Sequence, residues 1–256
     1  YPVVDRASWL ERLLPLGVTT IQLRVKDLTG DALEQEIVEA VSIAKKYAAR
    51  LFINDYWQLA IKHQAYGVHL GQEDFADADL NAIAQAGLRL GLSTHCYYEV
   101  ARAHAIKPSY LACGPVYHTD SKDMPWIPHG IDNLMKWKDL LPDYPWVAIG
   151  GINLENCNKL LKTNCDWYAL CSGVWNFKKG PEAAVKEFYK KTKNESKLGT
   201  NPLNPKLPFK QSYMTDFLQG LINSNHKIKA VPIFGGWLEL DSINDYQLYQ
   251  KKQENN

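Results

Sequence analysis

No apolar run in these 256 residues approaches the roughly 20 that a membrane-spanning helix needs, so no membrane partner is expected. An excess of charge of one sign is equally lacking, because 29 Lys and Arg against 28 Asp and Glu leave a net charge of +1. That argues against a nucleic-acid binder working through a general basic surface, although a few placed cations still suffice to grip phosphate. Cysteine is sparse and unpaired in pattern: Cys96, Cys113, Cys157, Cys165 and Cys171 are an odd number with no CxxC. This fits reduced thiols in a cytoplasmic protein better than a disulfide framework. No Cys/His cluster has zinc spacing. An initiating Met is missing, and Tyr1 opens directly into an apolar segment. No signal peptide is therefore expected, and a few leading residues are expected to precede Tyr1.

What is present is a strict alternation of short apolar runs and amphipathic stretches. Strands are expected at Tyr1 to Val4, Thr20 to Arg24, Leu51 to Ile53, Gly67 to Leu70, Arg89 to Ser93, Tyr110 to Cys113, Trp146 to Ile149 and Trp167 to Cys171. Helices are expected at Ser8 to Leu14, Asp31 to Tyr47, Trp57 to His63, Asp77 to Ala86, Tyr97 to Ile106, Asp132 to Leu140, Leu154 to Lys162 and Pro181 to Lys191. The Asp31 helix is the clearest, with Leu33, Ile37, Val41 and Ala44 on one face and Asp31 as its expected N-cap. Eight strand–helix units point to an α/β protein of the (β/α)8 TIM-barrel type over residues 1–192. A doubly wound open sheet is the alternative on pattern alone. Residues 193–209 read as a linker rich in Asn, Lys and Pro, and residues 210–256 as a short C-terminal extension too small for a core of its own.

In a barrel the chemistry gathers at the C-terminal ends of the strands. Gln22, Arg24 and Lys26 fall on one side of the second strand by period-two alternation, and Arg with Lys makes an anion clamp. The competing reading is a salt-bridged strand end. Asn54-Asp55 follows the third strand and Gly71-Gln-Glu-Asp74 the fourth. Alone, Asn-Asp reads as a turn or cap. Two carboxylates on neighbouring strand ends make a Mg2+ site bridged to a substrate diphosphate the better reading. Ser93-Thr94-His95 offers hydroxyls to phosphate or, equally, a helix cap. The Gly114 to Lys122 loop carries Thr119, Ser121 and Lys122, a composition suited to a phosphate-gripping lid. His118 lies in the same loop, where it is read as a surface or a catalytic histidine. Gly150-Gly151 and Ser172-Gly173 follow the last two strands, where barrels often bind phosphate, although either pair also reads as a tight turn. The inventory suggests two phosphorylated ligands, one of them bound with a divalent metal.

These segments, in this order, closely resemble thiamine-phosphate synthases. The matching stretches are Gln22 to Asp27, Ile53 to Asp55, Gly67 to Asp74, Gly91 to His95, Gly114 to Lys122, Ala148 to Ile152 and Cys171-Ser172. The resemblance implies coupling of a hydroxymethylpyrimidine diphosphate to a thiazole phosphate with release of diphosphate. It implies that Gln22, Arg24, Lys26, Asn54, Ser93 and Lys122 hold the pyrimidine diphosphate. Asp55 and Asp74 would bind Mg2+. Thr119, Ser121, Gly151, Cys171 and Ser172 would hold the thiazole phosphate. Arg24, Lys26 and Lys122 would carry catalysis by stabilising the leaving diphosphate. The family usually has Pro and Thr where this lid has His118 and Ser121, and Glu where Val25 stands. Those differences leave a thiazole tautomerase-like or non-catalytic phosphate-binding relative as the alternative, although that branch generally loses both metal carboxylates. A homo-oligomer is compatible with the sequence.

The C-terminal stretch resembles something else. Tyr213 to Gln219 and Gly235 to Ser242 are similar to the C-terminal end of sugar-phosphate nucleotidyltransferases. Asp241 falls at a metal-binding position of that family, but the family's glycine-rich nucleotide loop is absent. A remnant without its own activity is expected.

Overall fold

The computed structural model describes residues 1–119, 127–142, 144–163 and 165–195. Ser121, Lys122, the expected linker from 196 and the C-terminal extension of residues 210–256 lie outside them, while residues 193–195 of that linker belong to the last helix. Among the described residues eight parallel strands stand side by side in chain order. They are β1 (Val3–Val4), β2 (Thr20–Leu23), β3 (Arg50–Asn54), β4 (Gly67–Leu70), β5 (Arg89–Thr94), β6 (Tyr110–Cys113), β7 (Trp146–Ala148) and β8 (Trp167–Tyr168). Between them run α1 (Ser8–Leu13) with a 3-10 turn at Leu14–Leu16, α2 (Gly30–Lys46), α3 (Trp57–Lys62), α4 (Gln72–Asp77), α5 (Leu80–Gln85), α6 (Tyr97–Ile106), α7 (Gly130–Leu140), α8 (Cys157–Leu160) and α9 (Ser172–Trp175), with α10 (Pro181–Glu195) last. The sheet curls into a TIM-like α/β architecture. Pro2 and Leu170 form a parallel bridge, with Val3 N donating to Leu170 O at 2.8 Å and Leu170 N to Tyr1 O at 2.8 Å.

Period-two alternation divides every strand between two cores. Ile21 and Leu23, Leu51 and Ile53, Val68 and Leu70, Leu90 and Leu92, and Leu111 and Cys113 face outward. They pack under helix residues such as Leu10, Ile37, Ala60, Ile83 and Leu134. The residues between them face inward, where Val3, Phe52, Tyr110, Ala112, Val147 and Ala169 form a second cluster. Two glycines make room for its large rings. A Cβ at Gly67 would come within 2.6 Å of the Phe52 ring, and one at Gly91 within 2.1 Å of the Tyr110 ring. Above this aromatic floor, toward the C-terminal strand ends, the inward residues turn polar: Gln22, Asn54, His69 and Ser93.

Several sequence expectations change for local reasons. Helix α2 starts at Gly30 with Thr29 at the cap position, so Asp31 lies in the first turn instead of capping it. Its charge there still complements the positive helix end. The four expected apolar residues of α2 are all buried. The helix expected over Asp77 to Ala86 begins only at Leu80, where Asp79 caps it by accepting from Ala82 N at 2.9 Å, and the unexpected α4 precedes it. The helix expected from Leu154 shrinks to α8. Asn153 Oδ1 accepts from Asn156 N at 3.1 Å while Asn156 Oδ1 accepts from Asn153 N at 2.9 Å. Such side-chain bonds offer the backbone an alternative to the helix ladder.

Candidate active site

A cavity of about 260 Å3 opens at the C-terminal strand ends, directly above the aromatic floor. Its wall contains Gln22, Arg24 and Lys26 from β2 and the residues that follow it, Asn54 and Asp55 from the end of β3, and Asp74 from α4. Ser93, Thr119, Gly151, Cys171 and Ser172 complete the set of expected residues found there. Alternation works as anticipated, since Val25 is buried in the outer core while its neighbours Arg24 and Lys26 face the cavity.

The two carboxylates come together by different means. Asp55 has a left-handed backbone, φ +65°, which sends the chain sharply from β3 toward α3. Asp tolerates that region better than most residues do. Its amide is held by His69 O at 2.9 Å. Its Oδ2 accepts from Asn54 Nδ2 at 2.6 Å and is salt-bridged by Lys26. Asp74 stands in the first turn of α4. Partial burial and then the adjacent Asp55 carboxylate push the Asp74 carboxyl above its ordinary range, with Lys26 partly offsetting them. Two like charges held side by side repel, and a bound cation would relieve that repulsion. Among the described residues no group of three or more His, Cys, Asp or Glu side chains is placed to hold a metal ion.

On the opposite wall, two glycine turns pack into each other. Gly150 and Gly151 have φ of +97° and +65°, and a Cβ on Gly151 would lie 2.2 Å from His118 O. The stem of the 114–119 loop is bonded to this turn, with Val116 N on Ile149 O at 2.9 Å and Tyr117 N on Gly150 O at 3.1 Å. That pairing carries Thr119 to the cavity rim. A Cβ on Gly173 would lie 2.0 Å from Ile152 O, so the turn after β8 sits flush on the turn after β7. Among the described residues the amides of Gly151, Ile152 and Ser172 donate to no backbone or side-chain acceptor. Free N–H groups on two adjoining turns suit a phosphate.

Other lining residues had no individual role assigned from the sequence: His69, Gly71, Glu73, His95, Gly114 and Pro115. The signal for His69 was its place as a polar residue on the inward phase of the apolar strand β4. Of Ser93-Thr94-His95, only the first and third face the cavity. Thr94 turns outward and donates to Ala112 O at 3.0 Å. None of the three caps α6, whose N-cap is Cys96. His95 is fixed by Glu99, which accepts from its Nδ1 side at 2.9 Å and from its amide at 2.6 Å. His118 is exposed and lies off the cavity wall.

Comparison with known proteins points one way. A family model described as thiamine monophosphate synthase matches residues 2–174. A thiamine-phosphate synthase of Photorhabdus laumondii is 52% identical over 189 residues, covering 74% of this chain and 88% of that protein. One from Yersinia pseudotuberculosis is 54% identical over 174 residues, covering 68% and 81%. Among solved structures, a thiamine phosphate pyrophosphorylase from Pyrococcus furiosus superposes with a TM-score of 0.67 at 28% identity, covering 77% of this chain and 96% of that one.

Proposed function

The chain belongs to the thiamine monophosphate synthase family, and from that premise we propose how its cavity carries out the coupling reaction of thiamine biosynthesis. The enzyme transfers a hydroxymethylpyrimidine group from its diphosphate to a thiazole phosphate, giving thiamine phosphate and diphosphate. The observation that carries the site assignment is convergence: every described residue expected to touch substrate or metal lines the same cavity.

We read the curled sheet as a closed (β/α)8 barrel, a reading supported by the Pro2–Leu170 bridge. Gln22, Arg24, Lys26, Asn54 and Ser93 hold the pyrimidine diphosphate, and Lys122 joins them by sequence resemblance. Gln22 is 2% exposed, and its Nε2, near the Tyr110 hydroxyl, carries two hydrogens, so it has a donor to spare for the pyrimidine ring. Thr119, Gly151, Cys171 and Ser172, with Ser121 by resemblance, hold the thiazole phosphate against the amides of the two glycine turns. Asp55 and Asp74 fit Mg2+: their donors are all oxygen, their mutual repulsion favours a cation, and substrate phosphate oxygens can complete the shell. Mg2+ bound there supplies neutralisation of the diphosphate charge.

In this reading the methylene C–O bond breaks first, and the electron pair leaves with the diphosphate. Arg24 and Lys26 face the charge that develops on it, as preorganised cations do for phosphoryl leaving groups. The thiazole nitrogen then donates its lone pair to the methylene carbon and closes the C–N bond. Neither step needs a general base, because the thiazole nitrogen is already a nucleophile. Cytoplasmic placement and small-molecule substrates belong to the same reading, as does freedom to form a homo-oligomer.

The test is diphosphate release by the purified chain with Mg2+ and both substrates, each omitted in turn. Release that requires all three is the expected result. Release without the thiazole phosphate at an equal rate would mean hydrolysis, and would overturn the coupling assignment.

A further inference from the structure

His69 stands in the middle of the Gly67 to Asp74 segment, yet the roles assigned above leave it unused. It is 4% exposed, and both ring nitrogens are engaged. Nδ1 lies 2.7 Å from Tyr110 Oη, and Nε2 lies 2.9 Å from Ser93 Oγ. The β4–β5 register places His69 opposite Gly91, the glycine whose missing side chain makes room for the Tyr110 ring. Ser93 is gripped a second time from the same segment, because Gln72 Nε2 donates to its carbonyl at 2.6 Å. One stretch of chain thus holds the Ser93 hydroxyl through His69 and the Ser93 backbone through Gln72.

A neutral imidazole donates at one nitrogen and accepts at the other, so this chain of bonds has a direction. Burial pushes the Tyr110 phenol well above its ordinary pKa, so it keeps its hydrogen. A phenol is a better donor than an imidazole N–H, and an unprotonated imidazole nitrogen is a better acceptor than a phenol oxygen. Tyr110 therefore donates to Nδ1 at 2.7 Å in preference to the Tyr1 hydroxyl, which is 3.4 Å away. The ring hydrogen then sits on Nε2 and points at Ser93 Oγ, which leaves the Ser93 hydrogen free to turn to the cavity. We propose that His69 is a positioning residue, held as the Nε2–H tautomer by Tyr110, that makes the Ser93 hydroxyl a donor aimed at the substrate diphosphate. This rests on the reading that Ser93 meets that diphosphate. The opposite tautomer would draw the Ser93 hydrogen back into the barrel and present lone pairs to an anion. In the proposed direction each bond polarises the next, and the last one strengthens as negative charge builds on the leaving group.

Nitrogen NMR of the histidine-labelled wild-type protein reads the tautomer directly. The expected result is a protonated Nε2 and an unprotonated, hydrogen-bonded Nδ1 for His69. A protonated Nδ1 overturns the proposal, and this readout needs no variant to fold. Kinetics supply the second arm. His69→Leu and Ser93→Ala are each expected to lower kcat about tenfold with little change in KM for the pyrimidine diphosphate. The double variant is expected to be no slower than Ser93→Ala alone, because His69 acts only through Ser93. His69→Gln should recover most of the rate, since its amide oxygen can accept from Tyr110 while its amide nitrogen donates to Ser93. Independent, multiplying losses in the double variant would overturn the relay. A Ser93→Ala enzyme with wild-type rate would instead remove the assignment of Ser93 to the diphosphate, and with it the donor role. That outcome is distinguishable, because the His69 nitrogen signals would be unaltered.

Discussion

Asp55 occupies a backbone region that most residues avoid, and it does so beside a second carboxylate. Both features cost stability in the metal-free protein, and the proposed cation site would account for them. Two opposite outcomes follow for one substitution. Asp74→Asn removes the repulsion and is expected to raise the stability of the metal-free protein by up to about 1 kcal/mol in a denaturant melt. The same variant should lose most of its Mg2+-dependent turnover. Arg24 is expected to act on the leaving group, so Arg24→Ala should lower kcat by about 100-fold while leaving the melting temperature near that of the wild type. A large loss of stability with normal kcat would instead identify Arg24 as a structural residue.

At the scale of elements, the strand ends work because the floor beneath them is full. Gly91 on β5 gives up its side chain to the Tyr110 ring of β6. Gly91→Ala is therefore expected to cost about 1–3 kcal/mol from overpacking, measured by chemical denaturation. It should also slow turnover, because a displaced Tyr110 no longer meets His69. An outer-core change separates the two effects. Ile37 of α2 is fully buried and distant from the cavity, so Ile37→Ala should cost about 2–5 kcal/mol and leave KM for both substrates unchanged. The two glycine turns after β7 and β8 form another such unit. Their close packing explains why glycine stands at Gly151 and Gly173, where a Cβ would strike backbone oxygen.

For the whole molecule, acid should loosen the surface before it reaches the core. The carboxyls of Asp27 and Glu34 are held below their ordinary values of 3.8 and 4.5, the first by Arg6 and the second by Lys62 and then His63. Glu182 is lowered by its own backbone amide and then by Arg12. For a carboxyl with a depressed folded pKa, the stabilisation is present above the unfolded value and is lost as pH falls through the folded one. These pairs are thus expected to add a decline in thermal stability below about pH 4.5, shallower in high salt because they are exposed, on top of an earlier loss below about 6.5 from His129, whose burial favours the neutral ring. Ligand response belongs to this scale too. With Asp55 and Asp74 as its proposed protein ligands, Mg2+ alone should shift the melting curve little, whereas Mg2+ with the pyrimidine diphosphate at a hundred times its Kd should add about 2.7 kcal/mol.

Strand and helix positions were legible in the sequence because alternation and helical spacing are local: neighbours along the chain decide which face a residue takes. That is why Gln22, Arg24 and Lys26 could be placed on one side, and Val25 on the other, before any fold was in view. Local signals failed where side chains compete with the backbone, as with Asp79 capping a second helix and the Asn153–Asn156 exchange that shortens α8. The family resemblance named the ligands of the site. It did not name His69, whose role depends on Tyr110 and Ser93, respectively 41 and 24 residues away in the chain. The sequence by itself determined the pattern of inward and outward residues and the chemical inventory of the strand ends. Only the tertiary structure decided which of those residues share a cavity and which way the buried hydrogen bonds run. Both depend on strand register and on glycines that let distant rings approach, and no spacing along a single strand encodes either.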